Sequence, residues 1–506
     1  MCLHIRRAAI DDHESKIHDI IHSGRCFREV SFVSELKQKS QRIRDRCNKN
    51  IGEKMSTHIK TMTQGNPGKL ILTFALPLMA GNVFQQLYTV VDTMVVGKYL
   101  GVGALAALGA SDWMNWMMLG IVQGFAQGFA IRMAQDFGAG KYDSLRKVIG
   151  NSCILALLSS LALVLIGQLT ARPVLGLLQT PDDIIGSALL YLRIMFLGLP
   201  IVMAYNLFAS ILRSLGDGQT PLRAMVVASI TNIVLDLLFV LAFHWGIAGA
   251  AAATLIAQLV SGFFCLYHIH RIEILQMSAS DFQMEGVLGG KLMALGFPMA
   301  FQNCIIAIGG MIVQFVVNGF GVLFIAGFTA TNKLYGILEI AATSYGYAMI
   351  TYVGQNLGAG RIKRIRQGMR SALAIAIVTS LVIAAVMLLF GRTILSWFIS
   401  GTPEETAQTL QVAYFYLAVM SVFLPVLYIL HVTRSGLQGL GNTLLPMVSG
   451  IAEFIMRTAA ALLLPLAIGE RGIFYAEIFA WLGADVILVV SWLIVAGRLP
   501  AEQGAM

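Results

Sequence analysis

The chain has 506 residues, of which 57% are hydrophobic and 12% are charged, and its mean hydropathy is +0.73. A soluble globular protein carries about 25% charged residues, so this composition excludes a water-soluble fold. The net charge of +9 does not indicate nucleic-acid binding, because the charges lie mostly in short loops between apolar runs. These runs reach the roughly 20 residues that cross a bilayer. Ten-residue alternating segments, typical of a membrane barrel, are not visible.

Residues 1–62 are polar and highly charged, and they form a predicted extension. This extension has no apolar core and therefore does not resemble a signal peptide. We expect it to be disordered or to form a loose amphipathic helix. It is either a cytosolic regulatory arm or an upstream translated segment before a start near Met55, and we prefer the second interpretation. The six cysteines show no metal-ligand spacing, so we predict neither a disulfide nor a metal site.

Polar and Gly/Pro-rich breaks divide the rest of the chain into twelve predicted spans. They cover residues 69–97, 103–136, 146–170, 184–211, 221–244, 247–269, 290–319, 323–356, 368–399, 405–434, 443–467 and 471–497. Lys and Arg concentrate in the connections after even-numbered spans, which places those connections and both termini in the cytoplasm. The sequence therefore predicts a multi-pass protein of the inner (plasma) membrane.

The two halves of the chain resemble each other. Pro77 and Asn82 of the first span match Pro298 and Asn303 of the seventh. The second and eighth spans both end in Gln-x-x-Gly-Ala-Gly, at 135–140 and 355–360, and further prolines match at 200 with 425 and at 221 with 446. Because each half has an even number of spans, the halves are parallel repeats. We predict an all-α fold of two six-helix lobes, 63–275 and 276–500, related by a pseudo-two-fold axis along the membrane normal.

Four polar side chains lie at similar depth in the first half: Asp92 in the first span, Asn232 and Asp236 in the fifth, and Thr254 in the sixth. Asn232 and Asp236 share a helix face because they are four residues apart. An all-oxygen cluster of this kind suits Na⁺, and two adjacent carboxylates also suit a proton. The alternative is that both aspartates face a water-filled vestibule or cap neighbouring groups.

Several ionisable residues in the second half have simpler interpretations. Glu453 and Arg457 are four residues apart and are expected to neutralise one another. Glu477 and Asp485 either pair with that helix or face a cleft. We expect His431 to be a hydrogen-bonded packing residue.

The run PLMAGNVFQQLYTVVDTMVVGKYLG at 77–101, the GAGK turn, the RSLGDGQTP loop and the Asn-x-x-x-Asp of the fifth span resemble the MATE (multidrug and toxic compound extrusion) family. The resemblance covers roughly residues 65–497. It implies a twelve-helix, two-lobe antiporter, and the DinF-like branch implies a Na⁺ or H⁺ site at Asp92, Asn232, Asp236 and Thr254. It also implies a helix hinge at Pro77.

The same resemblance places substrate-contacting positions at Gln85 and Tyr88. Met203 and Tyr205 are further predicted substrate contacts, because Met and aromatic side chains adapt to varied ligands, although at helical spacing they are more often packing residues. The NorM-like branch uses a Glu in the seventh helix and an Asp in the tenth. The polar candidates here are Gln302, Asn303, Gln314 and Asn318 in the seventh, and Tyr414, Tyr416, Tyr428 and His431 in the tenth. We therefore expect ion coupling in the first lobe.

These observations predict a secondary antiporter, not an enzyme, that expels small organic cations in exchange for Na⁺ or H⁺. Its expected partners are cationic substrates and membrane lipid, it acts as a monomer, and it needs no cofactor besides the coupling ion. The alternative is a flippase for lipid-linked oligosaccharides or another amphiphile. The acidic groups of the first lobe favour a cationic substrate over that alternative.

Overall fold

A computed structural model describes residues 59–178, 180–399 and 402–499, and every regular element within these ranges is helical. Most of the predicted extension, residues 1–58, lies outside the described residues. The first lobe contains α1 (Pro67–Tyr99), α2 (Gly101–Gly138), α3 (Tyr142–Leu177), α4 (Asp182–Leu197), α5 (Leu199–Ser214), α6 (Gln219–Asp236), which continues as a π-helix (Leu237–Ala242), and α7 (Gly246–His270).

Two short 3₁₀ turns, Glu273–Leu275 and Ala279–Phe282, lead into the second lobe. That lobe contains α8 (Gly286–Val317), α9 (Val322–Gly358), α10 (Ile362–Ser396), α11 (Pro403–Val422), α12 (Leu424–Gly439), α13 (Leu444–Ile468), a 3₁₀ segment (Glu470–Tyr475) and α14 (Ala476–Arg498).

The fourteen α-helices make twelve membrane crossings. Eight helices of the described chain are long and apolar enough to cross a membrane, and ten crossings result when the pairs α4–α5 and α11–α12 each count as one. The remaining two are α2 and α9, with 38 and 37 residues, or about 55 Å at 1.5 Å per residue. Polar side chains that contact the opposite lobe make these two helices less apolar.

The internal repeat is confirmed in three dimensions, but the fourth and tenth predicted spans were wrong in one respect: neither is continuous. The α4–α5 pair bends by 48° and the α11–α12 pair by 49°. In each case a proline, Pro200 or Pro425, lies in the first turn of the second helix. Proline lacks the N–H that would continue the preceding helix, and its ring clashes with the carbonyl one turn earlier.

The two lobes meet through a junction that obeys the same two-fold symmetry. Gln135 Nε2 of α2 donates to the Gly439 carbonyl at 3.3 Å, and its counterpart Gln355 Nε2 of α9 donates to the Ser214 carbonyl at 2.9 Å. Ser214 and Gly439 both end the second half of a bent pair. The repeated glutamine therefore holds each lobe to the other at the end that the charge pattern predicts to be cytoplasmic.

The repeated glycines allow the lobes to approach at this junction. A methyl group on Gly138 would overlap the carbonyl oxygen of Gln355, and one on Gly358 would overlap the carbonyl oxygen of Gln135. Each glycine thus faces the glutamine of the other lobe. The shared Gln-x-x-Gly motif is explained by this one contact, in which the backbone of each helix touches that of its partner.

The segment just before α1 packs against the same junction. The Met62 backbone N–H donates to Gln355 Oε1 at 2.8 Å, and its carbonyl accepts from Asn356 Nδ2 at 3.1 Å. A methyl group on Gly216 would meet the carbonyl of Lys60. Residues 59–62, the end of the predicted extension, therefore contact both lobes, and Ile59 and Met62 are buried.

We predict that Gly138→Ala destabilises this closed junction. Overpacking of a close contact costs about 1–3 kcal/mol, so the lobes should separate at this end. Pulsed electron paramagnetic resonance between spin labels at Asp143 and Lys363 should show a longer distance in the variant.

The matched control is Gly186→Ala in α4, where a methyl group meets nothing within 4 Å. Its distance distribution should equal that of the otherwise unsubstituted labelled protein. An unchanged distribution in Gly138→Ala would contradict the role assigned to the junction.

Candidate cation site and central cleft

The polar cluster predicted in the first lobe is assembled from three helices. Asp92 comes from α1, Asn232 and Asp236 from α6, and Thr254 from α7. Asn232 Nδ2 donates to Thr254 Oγ1 at 3.4 Å, and the carboxyl groups of Asp92 and Asp236 are near enough to interact directly. The structure therefore brings together all four side chains that the sequence placed at one depth.

Asp236 lies in an unusual position in the backbone. It is the last residue of α6, and the chain continues directly into the π-helix Leu237–Ala242. A π-helical segment changes the direction of the following side chains and often marks a functional site. The corresponding helix of the second lobe, α13, is described as α-helix from Leu444 to Ile468, so the irregularity belongs to the first lobe.

The cluster has more acceptors than donors. Asp236 and Asn232 are almost completely buried, with 0% and 1% of their surface exposed. Both oxygens of Asp236, Oδ1 of Asn232 and Oδ1 of Asp92 are buried and accept no hydrogen bond. Buried polar atoms are nearly always satisfied, and an unpaired buried carboxylate is very costly. The arrangement therefore fits a positive ligand, either a proton or a small cation held by oxygen atoms.

The donor set limits the kind of cation. Within the described residues there is no group of three or more His, Cys, Asp and Glu side chains that could hold a metal. Two carboxylates, one amide and one hydroxyl supply only oxygen ligands, which suit a hard ion of low charge. A transition-metal site does not fit these residues.

A second set of side chains surrounds the cluster. Tyr88, one turn before Asp92 on α1, interacts with Gln85, Asp92 and Gln258. Tyr191 of α4 lies within electrostatic range of both aspartates of the cluster. Gln85 and Tyr88 are therefore adjacent to the polar cluster.

Met203 and Tyr205 are placed differently. Both lie on α5, with 1% and 7% of their surface exposed, and the Tyr205 backbone packs near Gly262 of α7. The structure thus places these two predicted substrate contacts in the packed interior of the first lobe.

Sequence reasoning did not include Asp112 in the candidate site. Asp112 lies in the interior of α2, eleven residues after its start. It interacts electrostatically with Asp92 in its own lobe and with Lys333 of α9 in the other lobe. Asn115, one turn later, has a buried Oδ1 without a partner. The three-residue spacing of Asp112 and Asn115 is the signal that could have identified this polar face.

The second lobe does not repeat the cluster. At the offset that joins Asn82 to Asn303, Asp92 corresponds to Val313; at the offset that joins Pro221 to Pro446, Asp236 corresponds to Ala461. The polar cluster is therefore specific to the first lobe, although the lobes share a fold.

Together, two repeated six-helix lobes, a symmetric junction at one end and a buried polar cluster in the first lobe are the architecture of a membrane transporter. The family model MatE matches residues 77–238 and 298–463, one segment in each lobe and more than half of the chain. The protein belongs to this family, the MATE family of multidrug efflux transporters.

The probable multidrug resistance protein YpnP of Bacillus subtilis is 30% identical over 81% of this chain and 91% of its own length. The FAD transporter of Shewanella oneidensis is 24% identical over 79% of this chain and 87% of its own. A solved structure of a MOP superfamily transporter from Pyrococcus furiosus superposes with a TM-score of 0.80, 22% identity, and coverage of 89% of this chain and 100% of that one. The last likeness supports the fold.

We predict that Asp236→Asn stabilises the purified protein when Na⁺ is absent and the pH is high. The substitution removes a buried negative charge without changing shape, and relief of an uncompensated buried charge contributes about 1–4 kcal/mol. The melting temperature should rise and should lose its dependence on Na⁺ or on pH. Asp183→Asn, on the exposed start of α4, is the control and should change neither quantity. If Asp236→Asn had a lower melting temperature that still depended on the ion, the Asp236 carboxylate would have a partner other than a bound proton or Na⁺.

Proposed function

We propose that this protein exports small organic cations in exchange for inward movement of Na⁺ or H⁺, which binds at Asp92, Asn232, Asp236 and Thr254. The observation that carries the proposal is Asp236: it is completely buried, both of its oxygens lack a partner, and Asp92 lies beside it. Such a pair is more stable with a bound proton or cation than without one.

Competition for negative charge couples the two ligands. When Na⁺ or H⁺ neutralises the aspartates, the adjacent cleft loses attraction for an organic cation. When the organic cation binds, it weakens retention of the ion. This is a negative coupling free energy, and thermodynamic linkage requires it to be equal in both directions.

Tyr88 and Gln85 connect the cation cluster to the substrate. Both lie on α1 within two turns of Asp92, and Tyr88 lies within electrostatic range of Asp92. The affinity for a substrate that contacts these side chains therefore depends on the charge state of the cluster. The Met203 and Tyr205 side chains contribute to this contact only if α5 moves, because they are buried.

Pro77 gives α1 a place to bend. It lies inside the helix and cannot donate to the carbonyl of Thr73, one turn earlier. Charge neutralisation at Asp92, four turns further along, can thus change the curvature of α1 without breaking a regular hydrogen bond. Bending moves Gln85 and Tyr88, which lie between the hinge and the cluster.

The charge of the cleft favours an organic cation over the alternatives. An oligosaccharide or other amphiphile flippase, and likewise a carrier of a phosphate-bearing compound such as the FAD transported by the Shewanella relative, needs positive groups for the phosphate. In this chain Asp92, Asp112 and Asp236 lie together, and Lys333 stands opposite them. We place the transporter in the plasma membrane as a monomer with both termini in the cytoplasm, following the charge pattern of its loops.

The test is Asp236→Asn in a host that lacks its own efflux pumps. We expect export of an ethidium-like dye to fall at least about tenfold, the effect of losing about 1.4 kcal/mol of coupling, with equal expression. Inverted membrane vesicles with an imposed Na⁺ or pH gradient identify which ion drives export in the unmodified protein.

Asp183→Asn again serves as the matched control, since it replaces an exposed aspartate outside the cluster, and it should export normally. Dye export by Asp236→Asn at the unmodified rate would remove the coupling role of the cluster.

The proposed hinge at Pro77 leads to a separate prediction. Pro77→Ala restores the backbone hydrogen bond to Thr73 and should stiffen α1, so the transport rate should fall while dye affinity in detergent stays within about twofold, because no binding group is removed. Equilibrium dye binding and vesicle efflux measure the two quantities. A rate equal to that of the unmodified protein would assign the bending to another position.

A further inference from the structure

The segment that leads into α1 is held by the second lobe. Residues 59–65 precede α1 and are therefore continuous with the first lobe, yet their backbone bonds to α9. The Met62 N–H donates to Gln355 Oε1 at 2.8 Å, and the Met62 carbonyl accepts from Asn356 Nδ2 at 3.1 Å. Backbone polar groups need a partner when they are buried, and here the opposite lobe supplies it.

Two arginines at the start of α10 extend this contact along the segment. Arg361 Nη1 donates to the Thr63 carbonyl at 2.6 Å, and Arg364 Nη1 donates to the Gly65 carbonyl at 2.9 Å. Arg364 Nη2 also donates to the Met62 carbonyl at 3.4 Å. Hydrogen bonds from a charged donor are stronger than those between neutral groups, so these arginines contribute much of the hold on the segment.

The segment also packs against both lobes. The Met62 side chain belongs to the same buried apolar cluster as Phe74 of α1 and Tyr352 of α9. On the other side, a methyl group on Gly216 would overlap the carbonyl oxygen of Lys60, so the segment touches the loop between α5 and α6. It therefore lies between the first-lobe loop and the corner of α9 and α10.

One side-chain amide links the segment to the closure of the lobes. Gln355 Oε1 accepts from Met62, and Gln355 Nε2 donates to the Ser214 carbonyl of the first lobe at 2.9 Å. A carboxamide has one accepting end and one donating end. Because the Met62 N–H takes the accepting end, the donating end faces Ser214. The segment thereby orients the glutamine that bonds the two lobes together.

The linker between the lobes makes a similar contact with α3, the repeat of α10. Asn151 Nδ2 of α3 donates to the Gln283 carbonyl at 3.1 Å, and the Glu285 N–H donates to Asn151 Oδ1 at 2.9 Å. This linker follows α7 of the first lobe, so it can stay on α3 when the lobes separate. Residues 59–65 are joined only to α1 within the described chain, so their contact with α10 requires that the lobes be closed.

We propose that residues 59–65 form a latch, which belongs to the first lobe and holds the predicted cytoplasmic end of the junction closed by binding the second lobe. An element that binds in one state only shifts the equilibrium towards that state by its binding free energy. Opening of this end releases Met62 from Gln355 and frees that amide from Ser214 in the same step. The latch acts on the junction alone, so it is independent of the ion and the substrate.

The test measures how often the junction opens, through the labelling rate of a cysteine placed inside it. Ser214→Cys is introduced into the full-length chain after its six native cysteines have been replaced by alanine. Ser214 is 2% exposed, so a charged maleimide reaches this position only in the open state, and the rate follows the open population. Arg361→Gln should raise the rate about tenfold, because the closed state alone loses a hydrogen bond from a charged donor.

Three controls separate the latch from a general effect of charge or of reagent access. Arg361→Lys keeps a charged donor and should retain the slow rate. Arg370→Gln, an exposed position on α10, should also leave the rate unchanged. A cysteine at the exposed Asp143 of α3 should react equally fast with and without Arg361→Gln.

The outcomes do not depend on ion coupling, because the rates are compared at one Na⁺ concentration and one pH without substrate. A Ser214→Cys rate in Arg361→Gln equal to that of the otherwise unmodified chain overturns the latch, as does an equal increase in Arg370→Gln. Normal export by Asp236→Asn would overturn the proposed coupling and leave the latch standing. If Arg361→Gln does not fold, Met62→Ala, which shortens the buried side chain of the latch, decides the question by the same measurement.

Discussion

Two carboxylates from different helices, Asp92 and Asp236, meet inside the first lobe, where both oxygens of Asp236 and Oδ1 of Asp92 are buried without a hydrogen-bond partner. A charge pair of this kind is stable only with a proton or a cation between its members. The rest of the cluster surrounds this pair: the π-helix begins directly after Asp236, Asn232 and Thr254 add two oxygen atoms, and Tyr88 lies one turn before Asp92 on α1.

The second requirement is a junction that closes one end of the cleft and can open again. Each lobe supplies the same glutamine and the same glycine, so that Gln135 and Gln355 satisfy carbonyls in the opposite lobe and Gly138 and Gly358 let the backbones touch. These hydrogen bonds lie beside apolar packing between the lobes, because Phe74 and Leu78 of α1 belong to the buried cluster of the second lobe. Opening of this end therefore has to separate both kinds of contact.

Much of this could be predicted from the sequence. The spans follow from apolar length, the repeat from matched prolines, glycines and glutamines, and the cation cluster from polar residues at equal depth. The breaks before Leu199 and Leu424 could not be predicted, because a proline in an apolar run either kinks or ends a helix. The contact between Met62 and Gln355 joins residues far apart in the chain, and no local pattern marks Met62. Burial of Met203 depends on the rotation of α5, which packing decides.

The competition between ion and substrate at the first-lobe pair is tested most directly by equilibrium binding to the purified protein. The affinity for a fluorescent organic cation should be measured while Na⁺ or H⁺ is raised, for the unmodified protein and for Asp92→Asn. The account predicts that affinity falls as the ion is added and that Asp92→Asn binds the organic cation weakly with almost no response to the ion. Affinity that is independent of both ions in the unmodified protein would contradict it.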